Sequence, residues 1–249
     1  MQIKYIIEEM QSILGYIDSK TETAKTIENF IQYLNNIALG EQLLSDKIIE
    51  LLNLIDLSKI TSEQGFFSEF LKTEDLTGEV NRTVIFYLIK DQQTSCWHSL
   101  DTTETWRWIA GCDIIISILS QDKINEVVLN AQNPCLTIEK GTLFGARNNL
   151  MVAQDRDNFG LVTCECIPGF IPSLYSNPTK EQLQTLICLY KKDDAKRVTI
   201  EKLIPNIQLE EFNELKKKSI TYTPFFLLDT PPNTPEKKGS NQNITVNRS

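Results

Sequence analysis

The fold of this chain is indicated first by one stretch, Cys96-Trp97-His98-Ser99-Leu100-Asp101-Thr102-Thr103-Glu104-Thr105-Trp106-Arg107-Trp108-Ile109-Ala110-Gly111. His98 is the only histidine among the 249 residues. Side chains two residues apart on a β-strand point to the same face, so positions 98 and 100 would both point into a barrel. Position 100 is a leucine, which cannot bind a metal ion.

The spacing resembles the first signature of metal-binding cupins. In that signature two histidines separated by one residue are followed by a glutamate and then, after six residues, by a glycine. His98, Glu104 and Gly111 keep these positions, whereas Leu100 stands where the second histidine belongs. The resemblance implies a cupin barrel that lacks one metal ligand.

Two further stretches resemble a little-characterised cupin subfamily whose biochemical role is unassigned. Residues 61–69 are similar to the subfamily's His-Pro-Glu-Gly-Gly-aromatic-Phe-x-Glu opening, of which they keep Glu63, Gly65, Phe66, Phe67 and Glu69. Residues 161–170 read Leu-Val-Thr-Cys-Glu-Cys-Ile-Pro-Gly-Phe and are similar to the closing motif Leu-Val-x-Cys-x-Val-x-Pro-Gly-Phe. The resemblance extends over residues 46–172.

The same resemblance implies an incomplete metal site. The second cupin signature normally supplies a histidine after a Pro-x-Gly turn, but here Glu139 replaces the proline and Phe144 takes the ligand position. His98 and Glu104 alone remain of four expected ligands, whereas a catalytic metal commonly takes three protein ligands and a water. We therefore expect no metal and no cofactor.

The chain has six cysteines, which a cytoplasmic location would keep reduced: Cys96, Cys112, Cys135, Cys164, Cys166 and Cys188. Cys96 is expected to share the strand face of His98, and Cys164 and Cys166 to share a face with each other. Thiolates there could complete a zinc or iron site, although buried free cysteines usually act as small hydrophobic residues. Both interpretations stay open at this point.

The expected barrel interior combines polar and aromatic side chains. Its candidate ligand-binding residues are Cys96, His98, Leu100, Glu104, Trp106, Trp108 and Phe144. Such a lining suits a small polar ligand with an apolar face, either sugar-like or nucleotide-like. The leading hypothesis is a degenerate, metal-free cupin that binds such a ligand or a protein partner. The alternatives are an epimerase or isomerase with His98 and Glu104 as a catalytic acid–base pair, and a metal-dependent enzyme with cysteine ligands.

Apolar spacing predicts helices at both ends of the barrel. Two stripes predict an N-terminal helical hairpin in residues 1–44, followed by a third helix capped by Ser45. The barrel domain is expected over residues 45–176. Asn177 as N-cap and Pro178 at the first helical position predict the start of a C-terminal helical extension over residues 177–229. This extension is interrupted at Pro205 and includes a late strand or extended segment at 221–228. Residues 230–249 have the composition of a disordered tail.

Short apolar runs separated by polar turns fill the middle of the chain. They predict strands at residues 84–89, 114–119, 126–129, 135–138, 150–153 and 161–167. Such runs are typical of an antiparallel all-β barrel or sandwich. The resemblance to cupins implies the barrel, so the expected fold is mainly β, a cupin-like antiparallel jelly-roll barrel, and the helices make it α+β overall.

The charge balance limits the classes of partner. A net charge of -8 argues against nucleic acid, because that interaction needs a basic surface. No run of 18 apolar residues predicts a membrane span, and no signal-peptide pattern is present, so a cytoplasmic location is the expectation. The resemblance implies a homodimer, and the N-terminal helices offer a possible surface for a protein partner.

Overall fold

The computed structural model describes residues 2–36, 43–59, 63–121, 123–150, 157–192 and 194–221. The predicted disordered tail lies outside these ranges, as does all of the predicted segment 221–228 except Thr221, which ends the last helix. Within the described ranges, no helix has the length and apolar character that crossing a membrane requires.

Two antiparallel sheets form the centre of the molecule. The strands are β1 (Ile55–Asp56), β2 (Phe66–Glu74), β3 (Val80–Lys90), β4 (Thr94–Leu100), β5 (Thr103–Gly111), β6 (Ile114–Ser120), β7 (Lys123–Leu129), β8 (Cys135–Ile138), β9 (Leu143–Asn148), β10 (Phe159–Ile167) and β11 (Tyr175–Ser176). One sheet has the order β1-β2-β3-β10-β5-β8 and the other β11-β4-β9-β6-β7. The predicted mainly β, antiparallel barrel with helices at both ends is confirmed.

The core between the sheets follows from the two-residue period of the strands. On β3, Tyr87 and Ile89 point inward, where they pack with Trp106 and Phe144. Their neighbours Phe86 and Leu88 point to the other face of the same sheet. Because both faces of β3 are apolar, the six-stranded sheet needs a cover on its outer side.

The N-terminal helices provide that cover. They are α1 (Gln2–Leu14), α2 (Glu22–Asn36) and α3 (Ser45–Leu51). Ile6, Met10, Ile27 and Phe30 are fully buried and belong to the same apolar cluster as the outward side chains of β3. The apolar stripe of the hairpin therefore packs on the barrel, and the helices do not contribute to the cavity described below.

The C-terminal helices cover the outer face of the five-stranded sheet. They are α4 (Lys180–Lys192), α5 (Asp194–Lys202) and α6 (Leu209–Thr221), with Pro205 between the last two. Trp97 of β4 and Leu143 of β9 pack among their buried side chains, which include Leu186 and Phe212. The molecule is therefore layered, with helices, sheet, sheet and helices in that order.

Two N-cap predictions were wrong, and one predicted strand lies mostly outside the described ranges. Ser45 does not cap α3, because its hydroxyl donates to Asp157 at 2.6 Å and the N-cap residue is Leu44. Asn177 does not cap α4, because the hydroxyl of Thr179 accepts the amide hydrogen of Gln182 at 3.2 Å. Of the strand predicted at 150–153, only Leu150 is described, and it is not in a strand; residues 151–153 lie outside the described ranges. The strand nearest to it is β9, which ends at Asn148.

Candidate functional site

A cavity of about 600 Å³ lies between the two sheets. Its lining residues are Leu57, Glu63, Phe67, Glu69, Lys72, Thr83, Ile85, Tyr87, Ser95, His98, Leu100, Glu104, Trp106, Cys164, Cys166, Phe170, Ile171, Pro172 and Tyr175. The walls are mainly apolar. Glu69, Lys72 and Ile171 are exposed and mark the mouth, whereas Glu63, His98 and Glu104 are buried.

A β-bulge in β4 determines which of its side chains reach the cavity. Ser95 pairs with Ala146 of β9 and His98 pairs with Phe144, so three steps along β4 match two along β9. One extra residue in a strand disturbs the alternation of faces. Ser95, His98 and Leu100 consequently line the cavity, and Cys96 does not.

The structure brings four of the seven candidate residues into the lining: His98, Leu100, Glu104 and Trp106. Phe144 lies next to the site, with its ring centroid 4.3 Å from that of His98. Trp108 is covered by Tyr5 of α1, the ring centroids being 5.9 Å apart. The alternation of side chains along a strand predicts that Trp106 and Trp108 share one face. It does not predict that a helix covers Trp108, which depends on the tertiary structure.

The imidazole of His98 is held by the bulge. Its Nδ1 lies 2.8 Å from the carbonyl oxygen of Cys96, and a carbonyl can only accept, so Nδ1 carries the proton. In the neutral ring this leaves Nε2 as the acceptor. Tyr175 stacks on the ring with centroids 5.2 Å apart and planes at 12°. Nε2 makes no hydrogen bond within the described ranges.

Glu104 is a buried carboxyl on β5. Burial raises the pKa of this carboxyl, while nearby His98 and the hydrogen bond from Trp106 oppose the rise. The Nε1 atom of Trp106 donates to its Oε2 atom at 2.8 Å. The pKa of the neighbouring Cys164 thiol is raised well above its usual range by burial and by Glu104. This thiol is therefore a poor nucleophile at neutral pH.

Glu63 and Tyr175 were not among the predicted site residues. Glu63 precedes β2, and its Oε2 atom accepts the amide hydrogen of Cys96 at 3.0 Å. The hydroxyl of Tyr175 donates to Oε1 of Glu63. Burial and the adjacent Glu63 carboxyl raise the pKa of Tyr175. Glu63 was visible as part of the opening motif, but no local signal linked it to Tyr175, which is 112 residues away.

The geometry agrees with a comparison of the chain with protein families. The family described as Cupin superfamily (DUF985) matches residues 46–175, which is more than half of the sequence. The chain belongs to the cupin superfamily. This cupin has no match among curated proteins.

Solved structures support the fold of this cupin. A hypothetical protein from Leishmania major is 22% identical, with 65% of this chain and 99% of that chain covered and a TM-score of 0.52. A protein from Shewanella oneidensis is 23% identical, with 66% and 98% covered and a TM-score of 0.53. At these identities the similarity shows the fold alone. Each of these matches leaves about a third of this cupin uncovered.

The residues present do not fit the metal site of the metal-binding cupins. Leu100 lines the cavity at the position of the second histidine, and Phe144 packs on His98 at the position of another ligand. Cys96 lies outside the lining, and burial with the nearby Glu63 raises its pKa to about 12. Among the residues that the structure describes, no group of three or more His, Cys, Asp or Glu side chains could hold a metal ion.

Proposed function

We propose that this cupin binds a small organic molecule in its barrel cavity and does so without a metal ion. The observation that carries the proposal is the 600 Å³ cavity itself, with apolar walls and a few polar groups gathered at its buried end. Small-molecule sites in proteins have this size and this combination of apolar walls with few placed polar groups. A packed barrel without a ligand would not need such a space.

Charge in the lining bears on the kind of ligand. Glu63, Glu69 and Glu104 contribute carboxyl groups, whereas Lys72 is the one lysine or arginine among the described lining residues. Its ammonium group already pairs with the Glu74 carboxylate at 2.9 Å. A phosphate would therefore find little positive charge here, so the sugar-like alternative has more support than the nucleotide-like one.

A protein partner on the N-terminal hairpin is the less supported alternative. The apolar stripe that could have bound a partner is buried against the six-stranded sheet through residues such as Met10 and Phe30. The outward-facing residues of α1 and α2 are mostly polar. The cavity thus has the stronger physical argument for binding.

An acid–base reaction is the second candidate function. The bond from Nδ1 of His98 to the Cys96 carbonyl leaves Nε2 as a base at the cavity wall. Glu104, with its raised pKa, lies close enough for the two groups to interact. One group could accept a proton from a carbon of the substrate while the other returns a proton, which is the pairing that an epimerase or isomerase requires.

Ligand screening tests the binding function. A fragment library would be tested by thermal shift on the wild-type protein, on Leu100→Phe, which narrows the cavity, and on Leu136→Phe, which adds the same volume to the inner core outside the cavity lining. A ligand at 100 times its Kd stabilises by about 2.7 kcal/mol, which is several degrees for a protein of this size. We expect some fragments to raise the melting temperature of wild type and of Leu136→Phe but not that of Leu100→Phe. Hits that all three proteins share equally would contradict binding in the cavity.

Deuterium exchange tests the acid–base reaction. Each confirmed ligand would be incubated with the protein in D₂O, and loss of a carbon-bound proton signal would be followed by NMR. Exchange that needs both His98 and Glu104, as shown by His98→Gln and Glu104→Gln, would support catalysis. Binding without exchange would contradict the acid–base reaction and would support a binding function alone.

Elemental analysis tests the metal-free part of the proposal. We expect less than stoichiometric transition metal in the purified protein. A stoichiometric metal that disappears in His98→Ala would contradict it.

A further inference from the structure

We propose that the ligand of this cavity is an amine, with a protonated amino group directed to the buried end and an apolar body against the walls. This inference rests on the proposed binding function and narrows it to one chemical class. It follows from a count of hydrogen-bond donors and acceptors at the buried end, together with the charge of the lining.

The strong donors of the cavity wall already have protein acceptors. The Nε1 atom of Trp106 donates to Glu104 at 2.8 Å, and the Tyr87 hydroxyl donates to the Gln64 carbonyl at 2.6 Å. The Tyr175 hydroxyl donates to Glu63. A ligand that presents only acceptors, such as a carboxylate or a phosphate, would therefore lose its hydration without gaining these donors.

The acceptor groups of the cavity, in contrast to its donors, keep capacity for a ligand. His98 lines the cavity, and the Cys96 carbonyl accepts its Nδ1 proton, so in the neutral tautomer the Nε2 lone pair is an acceptor. Glu104 accepts hydrogen bonds from the Trp106 indole and the Cys164 thiol, and the two oxygens of a carboxylate together can accept about four, so it keeps acceptor capacity for a ligand. Both side chains are more than nine-tenths buried. A donor group of the ligand would satisfy them where water is largely excluded.

Charge favours an ammonium group over a neutral donor. A positive charge near the Glu104 carboxylate gains more in this buried setting than it would in water. Trp106 and Tyr175 also line the space, and aromatic rings attract ammonium groups that reach their faces. A sugar fits less well, because hydroxyl groups on all sides of its ring would meet apolar walls at Phe67, Ile85 and Leu100.

The experiment compares three probes of matched shape and different charge. They are 2-phenylethylamine, 2-phenylethanol and 3-phenylpropanoate, and binding to the full chain would be measured by calorimetry at pH 7. We expect the amine to bind at least tenfold more tightly than the alcohol, and the carboxylate to bind most weakly. This comparison uses the wild-type protein and does not depend on any variant.

Two variants locate the charge that the amine recognises. Glu104→Gln removes the carboxylate with little change of shape, and Glu139→Gln makes the same change on an exposed residue outside the lining. We expect Glu104→Gln to lower the affinity for the amine at least tenfold and to leave the affinity for the alcohol nearly unchanged. Glu139→Gln should change neither affinity.

The outcomes separate the two proposals. If the alcohol or the carboxylate binds as tightly as the amine, and Leu100→Phe abolishes that binding, the amine assignment is wrong while the binding function stands. If none of the three probes binds at millimolar concentration, the amine assignment is also wrong, and the fragment screen then decides whether the cavity has another ligand. Amine binding that is equal in wild type and Glu104→Gln would likewise overturn it.

Discussion

At the scale of single residues, the site depends on carboxyl groups whose surroundings differ. Burial raises the pKa of Glu104, whereas the Lys196 ammonium group overcomes the effect of burial and lowers the pKa of Glu126. Lys196 lies 2.5 Å from Glu126 on the outer side of the five-stranded sheet. The two carboxyls should therefore have opposite effects on stability at neutral pH.

We expect Glu104→Gln to increase the free energy of unfolding at pH 7. The folded protein keeps the Glu104 proton to a higher pH than the unfolded chain does, so this group costs stability as pH rises above about 4.3, its unfolded pKa. The gain from Glu104→Gln should shrink as pH falls toward 4. Urea unfolding between pH 4 and 8 measures it.

Glu126→Gln provides the comparison of opposite sign. The stability that Glu126 contributes is present above its unfolded pKa and is lost as pH falls through its lowered folded pKa. This variant should therefore be less stable than wild type at pH 7. A Glu104→Gln protein that is also destabilised at pH 7 would show that folding stabilises the Glu104 carboxylate, which is incompatible with a raised pKa for this group.

At the scale of elements, the bulge in β4 is held by hydrogen bonds to one segment that precedes it in the sequence and to one that follows it. The amide of Cys96 donates to Glu63, which lies between β1 and β2, and the amide of Trp97 donates to the Leu203 carbonyl at 2.6 Å. The indole of Trp97 also donates to the Ile200 carbonyl at 3.3 Å. The C-terminal helices therefore help to fix the segment that directs His98 into the cavity.

The N-terminal hairpin makes a testable contribution to stability. Phe30 of α2 is fully buried against the six-stranded sheet, so Phe30→Ala should lower the free energy of unfolding by about 3–5 kcal/mol. Gln32→Ala, at an exposed position of the same helix, should change it by no more than about 0.5 kcal/mol. Chemical denaturation measures both. A Phe30→Ala cost as small as that of Gln32→Ala would mean that the hairpin is detached from the barrel in solution.

At the scale of the whole molecule, the layers share continuous apolar contacts. The N-terminal helices join the six-stranded sheet through Phe86 and Leu88, and the C-terminal helices join the five-stranded sheet through Trp97. Helices that share a core with the sheets should unfold with them. Thermal unfolding followed by far-UV circular dichroism and by tryptophan fluorescence should therefore show one common midpoint. Separate midpoints would identify an independently unfolding layer.

Homodimer formation stays a prediction. Light scattering on the purified protein would measure the mass that tests it.

The barrel and the replacement of two metal-ligand positions could be predicted from the amino-acid sequence alone. Strand alternation and turns predict the strands of the barrel, and the resemblance to metal-binding cupins places Leu100 and Phe144 at two of the ligand positions. Gly111, which matches the glycine of the first signature, occupies a position that only glycine can take. Its φ is +93°, and the Phe159 carbonyl beside it leaves no room for a side chain.

Which side chains meet in the cavity could not be predicted from the sequence, because it depends on tertiary packing. The bulge moved Cys96 out of the lining, and Tyr5 covered Trp108. The bond between Glu63 and Tyr175 joins segments 112 residues apart. Local periodicity predicts which face a side chain takes. It cannot predict an inserted residue or a contact between distant segments, because both depend on how the two sheets and their covering helices pack.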